Sequence, residues 1–145
     1  MRLRLFGVCV SVLLVVAIVL APAAQARSGY VVKNAAGKKV GSVTVGSRGK
    51  VWDCSGIQMG TYGPTEEGRR VVSPRKYGHY GSLSRHSGKV FSVHDDQGGS
   101  GRAVLKNGRW LLQQKIGGSW RTRGIAPKSV SGWAGCSALW VLLWR

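Results

Sequence analysis

After residue 27 the apolar residues of the chain occur in short runs rich in Val, Trp, Tyr, Ile and Leu, separated by glycines. No window of a dozen residues keeps apolar side chains at the three-to-four spacing of a helix without a glycine interrupting it. Short runs of this kind are typical of β-strands joined by tight turns. The pattern predicts strands at 30–33, 39–45, 50–53, 57–62, 69–72, 80–83, 89–94, 102–106, 109–116, 119–123 and 138–144.

One turn is specified clearly by the sequence. Asn107-Gly108 separates the apolar runs 103–105 and 110–112. Both residues tolerate the positive φ angles of a type I′ turn, so this dipeptide predicts a β-hairpin.

A weak internal repeat organises the segment 30–83. Residues 32–43 align without gaps on residues 51–62, a period of 19, and a looser third copy runs from 71 to 83. In the two gap-free segments an Asn or Asp starts a turn, a glycine three residues later takes its positive-φ position, and an apolar-Gly-x-apolar sequence forms the returning strand. The matching residues are Asn34 with Asp53 and Gly37 with Gly56. More degenerate copies occur around 95–98 and 117–120, and each unit suits one hairpin.

These elements predict an all-β fold, a small single-domain meander of β-hairpins with about ten short strands, closed or partly closed into a barrel. The apolar run 137–144 is too short to span a bilayer as a helix. We interpret it as a central strand buried on both faces, the alternative being a strip that inserts into a membrane or binds a partner. The segments 63–68 and 123–132 are predicted to be loops.

The first 26 residues are predicted to be a signal peptide rather than part of the fold. A basic start with Arg2 and Arg4 precedes an apolar stretch over 5–20, and Ala24-Gln25-Ala26 provides a small-x-small cleavage site. We therefore expect a helical signal that is cleaved after Ala26, a single mature domain over 27–145, and a secreted or cell-envelope location. An uncleaved anchor is the alternative.

Charge narrows the class of partner. The chain has 22 Lys and Arg against five Asp and Glu, and loss of Arg2 and Arg4 with the signal would leave a formal charge of +15. The basic residues are spread over the whole chain. Such an excess favours polyanionic partners, namely an envelope polymer, lipid headgroups or nucleic acid, although it also serves solubility.

Two cysteines remain in the mature chain. Cys54 and Cys136 form an even pair in a compartment that permits disulfides, so the sequence predicts a bond between them. Closing a loop of roughly 80 residues would stabilise the fold by about 4 kcal/mol in the chain-entropy model. Two lone cysteines make a poor metal site, and no metal or cofactor is predicted.

Catalytic motifs are scarce. His94 with Asp95 and Asp96 has the types of a base and its orienting carboxylate, but a polar turn explains them better. A ribonuclease-like set of Glu66, Glu67, Arg69, Arg70 and His79 occurs without a surrounding motif. Nucleophile elbows and phosphate loops are missing. The sequence predicts no catalytic residue.

Basic residues interleaved with aromatic ones are the candidate binding residues, because such strips contact phosphates while stacking on bases or sugars. The set is Arg75, Lys76, Tyr77, Tyr80, Arg109, Trp110, Trp120, Arg121 and Arg123. For the two tryptophans a core position is the alternative. We expect a non-catalytic binding module for anionic polymers or surfaces at the bacterial cell envelope. The alternatives are a secreted hydrolase of nuclease type and a membrane-active or inhibitory exported protein.

Overall fold

The computed structural model describes residues 29–74 and 79–144, so the predicted signal segment 1–26 lies outside the described residues. Within these ranges the chain forms ten strands and, near its C-terminus, a helical segment. The strands are β1 (Tyr30–Asn34), β2 (Lys39–Val43), β3 (Gly49–Asp53), β4 (Gln58–Pro64), β5 (Arg70–Pro74), β6 (Gly81–Ser87), β7 (Val90–Asp95), β8 (Ser100–Lys106), β9 (Arg109–Ile116) and β10 (Ser119–Pro127). The helix α1 (Gly132–Ala138) continues directly into a π-helical turn, Leu139–Leu143, and we call the two together the interior helix.

The ten strands form a closed antiparallel barrel. Each strand pairs with its successor, and β10 pairs with β1 through Lys33 opposite Ile125 and Asn34 opposite Gly124. This pairing confirms the predicted all-β meander and its closure. A closed barrel leaves no free sheet edge. We call the end with the turns after odd-numbered strands the lower rim, and the end with the turns after even-numbered strands the upper rim.

The repeat predicted from the sequence is present in the turns of the lower rim. Asn34 Oδ1 accepts from the backbone N–H groups of Ala36 and Lys38, each at 3.0 Å. Asp53 Oδ1 does the same two residues and four residues ahead, at 2.8 and 3.0 Å. Gly37 and Gly56 take φ angles of 82° and 80°. On the upper rim, Asn107 and Gly108 have φ angles of 53° and 75°, which confirms the predicted hairpin.

The same repeat extends to all five hairpins of the barrel. On each even-numbered strand an inward-facing glycine lies opposite a buried aliphatic residue of the preceding strand. The pairs are Val32 with Gly41, Val51 with Gly60, Val72 with Gly81, Val93 with Gly101, and Leu112 with Gly124. We call these five glycines the glycine ring. Because glycine has no side chain, the lower half of the barrel has room for a further element inside it.

The interior helix fills that space, and the strand predicted at 138–144 is therefore wrong. The segment is apolar on every side because the barrel surrounds it, which is typical of a fully buried helix. A short apolar run does not distinguish that helix from a buried strand. The predicted loop 123–132 is also shorter than expected, because β10 continues to Pro127 and α1 begins at Gly132.

In the lower half of the barrel, large side chains of the C-terminal segment pack against the glycine ring. Five successive residues of the chain each approach one member of the glycine ring, so that a Cβ added to the glycine would lie 2.6 to 3.3 Å from the side chain. The contacts are Trp140 with Gly81, Val141 with Gly60, Leu142 with Gly41, Leu143 with Gly124, and Trp144 with Gly101. Trp140 to Leu143 belong to the π-helical turn, and Trp144 follows directly in an extended conformation. Together these five residues offer one side chain to each hairpin.

In the upper half the sizes are reversed. Gly132, Ala134, Gly135 and Ala138 of α1 are buried, beside large barrel residues such as Phe91 and Trp110. The helix is capped by Ser131, whose Oγ accepts from Ala134 N at 3.1 Å and donates to Gly46 O at 2.7 Å. This hydroxyl ties the first turn of the helix to the upper rim.

The predicted disulfide is not formed. Cys54 and Cys136 are both free. Cys54 lies exposed in the β3–β4 turn of the lower rim, where its thiol donates to Lys39 O at 3.1 Å. Cys136 is fully buried in the interior helix. The prediction relied on the even count of cysteines and placed 136 just before a strand, whereas a helix within the barrel holds its thiol away from the rim turns.

Candidate functional site

The candidate site lies on the outer face of β8, β9 and β10, where two cations meet an exposed aromatic ring. Arg102 lies opposite Gln113 in the ladder, Gln113 opposite Thr122, and Lys115 opposite Trp120. These positions alternate with the buried Gly101, Ala103 and Leu112, so their side chains project outward. We call the five residues the Trp120 patch: Arg102, Gln113, Lys115, Trp120 and Thr122.

Contacts within the Trp120 patch fix its geometry. The Arg102 Cζ atom lies 4.2 Å from the centroid of the Trp120 ring, and Lys115 Nζ lies 5.8 Å from it. Arg102 Nε donates to Gln113 Oε1 at 2.8 Å, and Gln113 Nε2 donates to Thr122 Oγ1 at 3.3 Å. Cation–π attraction and the hydrogen bond to Gln113 hold the guanidinium beside the ring. Trp120 keeps 37% of its surface exposed.

A polar strip continues from the patch across the neighbouring strands. Ser92 of β7 lies opposite Arg102, and Ser84 of β6 lies opposite Ser92. His86 Nε2 is 2.8 Å from Ser92 Oγ. Ser92 is only 6% exposed, so the accessible polar groups beside Arg102 on these strands are the hydroxyl of Ser84 and the imidazole of His86.

The acidic residues lie elsewhere, so the outer face near Trp120 keeps its positive charge. Asp53, Asp95 and Asp96 belong to turns of the lower rim, and Glu66 and Glu67 belong to the β4–β5 turn of the upper rim. Glu67 pairs with Arg69 at 3.1 Å, with both side chains exposed. An exposed pair of this kind contributes little to stability. Because Glu67 pairs with Arg69, it does not oppose the cations of the patch.

The predicted binding residues do not form one surface. Trp120 belongs to the patch, whereas Arg109 lies at the upper rim beside the Asn107-Gly108 turn. Tyr80 lies at the lower rim, where its backbone N–H donates to Asp96 Oδ2 at 3.2 Å. Arg121 alternates with Trp120 along β10 and lies opposite the buried Gln114. Arg75, Lys76 and Tyr77 lie outside the described residues.

Two members of the predicted set have structural roles. Trp110 is only 4% exposed, and its indole N–H donates to Val130 O at 2.9 Å, so it is a core residue. Arg123 Nη2 donates to Leu143 O at 3.2 Å and so satisfies a carbonyl at the end of the interior helix. A groove of about 410 Å³ lies next to this contact, and its lining includes Thr122, Arg123 and Leu143.

The catalytic candidates are separated by the fold. His94 Nδ1 lies 3.2 Å from Ser100 Oγ. It is His79 that approaches the carboxylates, at 3.6 Å from Asp95 Oδ1 and 3.4 Å from Asp96 Oδ1. Glu67 and Arg69 are at the upper rim and His79 at the lower, so the ribonuclease-like set does not gather around one phosphate.

Two groups among the described residues have displaced pKa values, and both are structural. Burial raises the pKa of the Cys136 thiol to about 12. Burial also raises the pKa of Tyr62, and a hydrogen bond with Thr44 opposes that effect. The Tyr62 hydroxyl donates to Gly46 O at 2.8 Å. Neither group faces the Trp120 patch.

Comparisons with protein-family models, with curated proteins and with solved structures return no match for this chain. In the part of the chain that the structure describes, no helix is long and apolar enough to cross a membrane.

Proposed function

We propose that the protein is an exported, non-catalytic module that binds an anionic polymer along the outer face of β8–β10. The observation that carries this proposal is Trp120, an exposed ring with the Arg102 guanidinium 4.2 Å from its centroid and a second cation, Lys115, at 5.8 Å. A ring of this kind stacks on a sugar or base, while the cations contact phosphates or carboxylates.

Charge supports the same function. The formal charge is +17 for the whole chain and +15 without residues 1–26, an excess that attracts polyanions and speeds their association. We place the partner at the cell envelope because residues 1–26 have the composition of a secretion signal.

The test is a titration with a defined polyanion, a single-stranded oligonucleotide, at two salt concentrations. Trp120→Ala removes a stacking ring worth about 1–3 kcal/mol, so its affinity should fall roughly 5- to 150-fold. Arg102→Gln should weaken binding and reduce the salt dependence by about one counterion. Trp120→Phe, which keeps an aromatic face, should bind with an affinity between those of the wild type and Trp120→Ala.

Arg109→Gln is the matched control, because it removes the same charge at the upper rim. It should change affinity little. Equal losses in Arg109→Gln and Arg102→Gln would mean that only total charge matters, and a wild-type affinity for Trp120→Ala would reject the patch. Binding that is independent of salt would reject the polyanion itself.

The same titration with inorganic polyphosphate and with vesicles of anionic lipid identifies the source of the charge. Loss of affinity in Trp120→Ala for the oligonucleotide but not for polyphosphate would assign Trp120 to stacking on a ring. Leakage of the vesicles would instead favour the membrane-active alternative.

A further inference from the structure

His79, Asp95 and Asp96 form a compact cluster at the lower rim, and none of them belongs to the Trp120 patch. His79 lies two residues before β6 begins, and the two aspartates lie where β7 ends and its turn begins. One ligand atom from each residue lies within 4.8 Å of the other two. The sequence does not reveal this cluster, since it places His94 and not His79 beside the carboxylates.

The two distances from His79 Nδ1 match the spacing of ligands around a small cation. His79 Nδ1 is 3.6 Å from Asp95 Oδ1 and 3.4 Å from Asp96 Oδ1. Both separations exceed the usual range of about 2.7–3.2 Å for an N–H···O hydrogen bond. Ligands at ~2.0–2.1 Å from a tetrahedral zinc ion are separated by about 3.3–3.4 Å, the length of a tetrahedron's edge.

Two buried polar atoms at this position also require a partner. Asp95 Oδ1 is buried and accepts no hydrogen bond from the described residues. Trp140 is 5% exposed and packs edge-to-face on the His79 ring with 5.2 Å between centroids. Its Nε1–H is likewise buried without a hydrogen-bond acceptor among the described residues. A carboxylate oxygen removed from water is costly unless a cation or donor compensates it.

The backbone holds one carboxylate in position for this role. Asp96 Oδ2 accepts from Tyr80 N at 3.2 Å, and Asp96 N donates to Tyr80 O at 3.3 Å. These contacts orient the side chain and leave Oδ1 directed to the imidazole, as outer hydrogen bonds do for metal ligands.

We propose that His79, Asp95 and Asp96 bind a divalent transition-metal ion, with zinc as the preferred ion. An imidazole nitrogen with two carboxylate oxygens is a ligand set that zinc accepts, whereas Ca²⁺ and Mg²⁺ take oxygen ligands. Three protein ligands leave a fourth position for water or an anion. An oxygen at that position is the kind of acceptor that the indole N–H of Trp140 requires.

The cluster is independent of the proposed polymer binding, so the two are tested separately. Zinc is titrated into metal-free mature protein by calorimetry, with Mg²⁺ and Ca²⁺ as comparisons. We expect one zinc ion per chain and a raised melting temperature. Asp95→Asn, which keeps the shape of the side chain, should lower the affinity at least tenfold and abolish the thermal shift, and His79→Ala should do the same.

Matched controls separate this site from other ligands. His94→Ala removes a histidine next to Asp95 that contacts Ser100 instead, and Cys54→Ser removes an exposed thiol. Both should bind zinc as the wild type does. Cobalt substitution should give the intense visible absorption of a tetrahedral site, and Asp95→Asn should lose it. No saturable binding, an equal preference for Ca²⁺, or loss of affinity in His94→Ala or Cys54→Ser would overturn the proposal and leave the cluster as an ion pair.

Discussion

Gly101→Ala tests whether the glycine ring exists to receive the interior helix. A Cβ at Gly101 would lie 2.6 Å from Trp144 Cζ3, 2.8 Å from Leu139 Cδ2 and 3.1 Å from Val93 Cγ1. All three atoms belong to side chains, and two of them belong to the C-terminal segment within the barrel. The added methyl group is therefore expected to displace that segment rather than to break the sheet.

The magnitude follows from the contacts. Ordinary carbon–carbon contacts occur at about 3.5–4.0 Å, so two neighbours must move by roughly 1 Å. Overpacking of a core costs about 1–3 kcal/mol. The entropy of unfolding is about 2.1 cal/mol/K per residue, or roughly 0.25 kcal/mol/K for a chain of ~120 residues. A loss of about 2 kcal/mol then lowers the melting temperature by about 8 °C.

The assay is urea unfolding followed by tryptophan fluorescence, with Gly88→Ala as the control. A Cβ at Gly88 meets only the mobile end of Arg85, at 3.8 Å, so this variant should lie within about 0.5 kcal/mol of the wild type. In a double-mutant cycle, Gly101→Ala should cost about 1 kcal/mol less in a Trp144→Leu background, because the closest atom has been removed. Equal stability of the two alanine variants, or a cycle without coupling, would refute the reasoning.

Two further predictions concern the interior helix. Leu139 is fully buried, so Leu139→Ala should lower the free energy of unfolding by about 2–5 kcal/mol in urea through the cavity it leaves; a loss below ~1 kcal/mol would show that the helix is not packed as described. Burial raises the pKa of Cys136 from 9.0 to about 12, so the unfolded chain releases this proton at a lower pH than the folded chain does. Below pH 9 the thiol is protonated in both states, and its contribution to the free energy of unfolding is complete. As the pH rises towards 12 that contribution is lost, and the free energy of unfolding is lower by about 2 kcal/mol at about pH 10.5. The difference in unfolding free energy between the wild type and Cys136→Ala should shrink accordingly, and a constant difference from about pH 8 to 10.5 would contradict it.

The strands and turns were predictable because each depends on residues that are close in the sequence. Asn34 and Asp53 accept hydrogen bonds from residues two and four places ahead, so the turns they start are visible in the sequence alone. The interior helix was not predictable in this way. Its apolar faces are set by the barrel that surrounds it, and neither helical nor strand periodicity survives when every face is buried.

The candidate site was only partly predictable. Trp120 and Arg121 are neighbours along the chain and both belong to the predicted binding set, but a strand places them on opposite faces. The partners of Trp120 are Arg102 and Lys115 across the ladder. Both follow from the two tight turns, at 107–108 and 117–118, which set the register of β8, β9 and β10. Hairpin register was the usable sequence pattern that the prediction left out.

Placing the helix after the tenth strand determines when the fold can form. β1 meets its second neighbour only when β10 has been synthesised, with Lys33 opposite Ile125, and the residues that fill the barrel come later still. Until then the inward faces of the hairpins have nothing to bury against, and the pairing that closes the ring is among the most distant in the sequence. We therefore expect the barrel to close only after β10 and the interior helix have been synthesised. A copy that ends before Gly132 lacks residues that fill the barrel and should be less stable than the full chain.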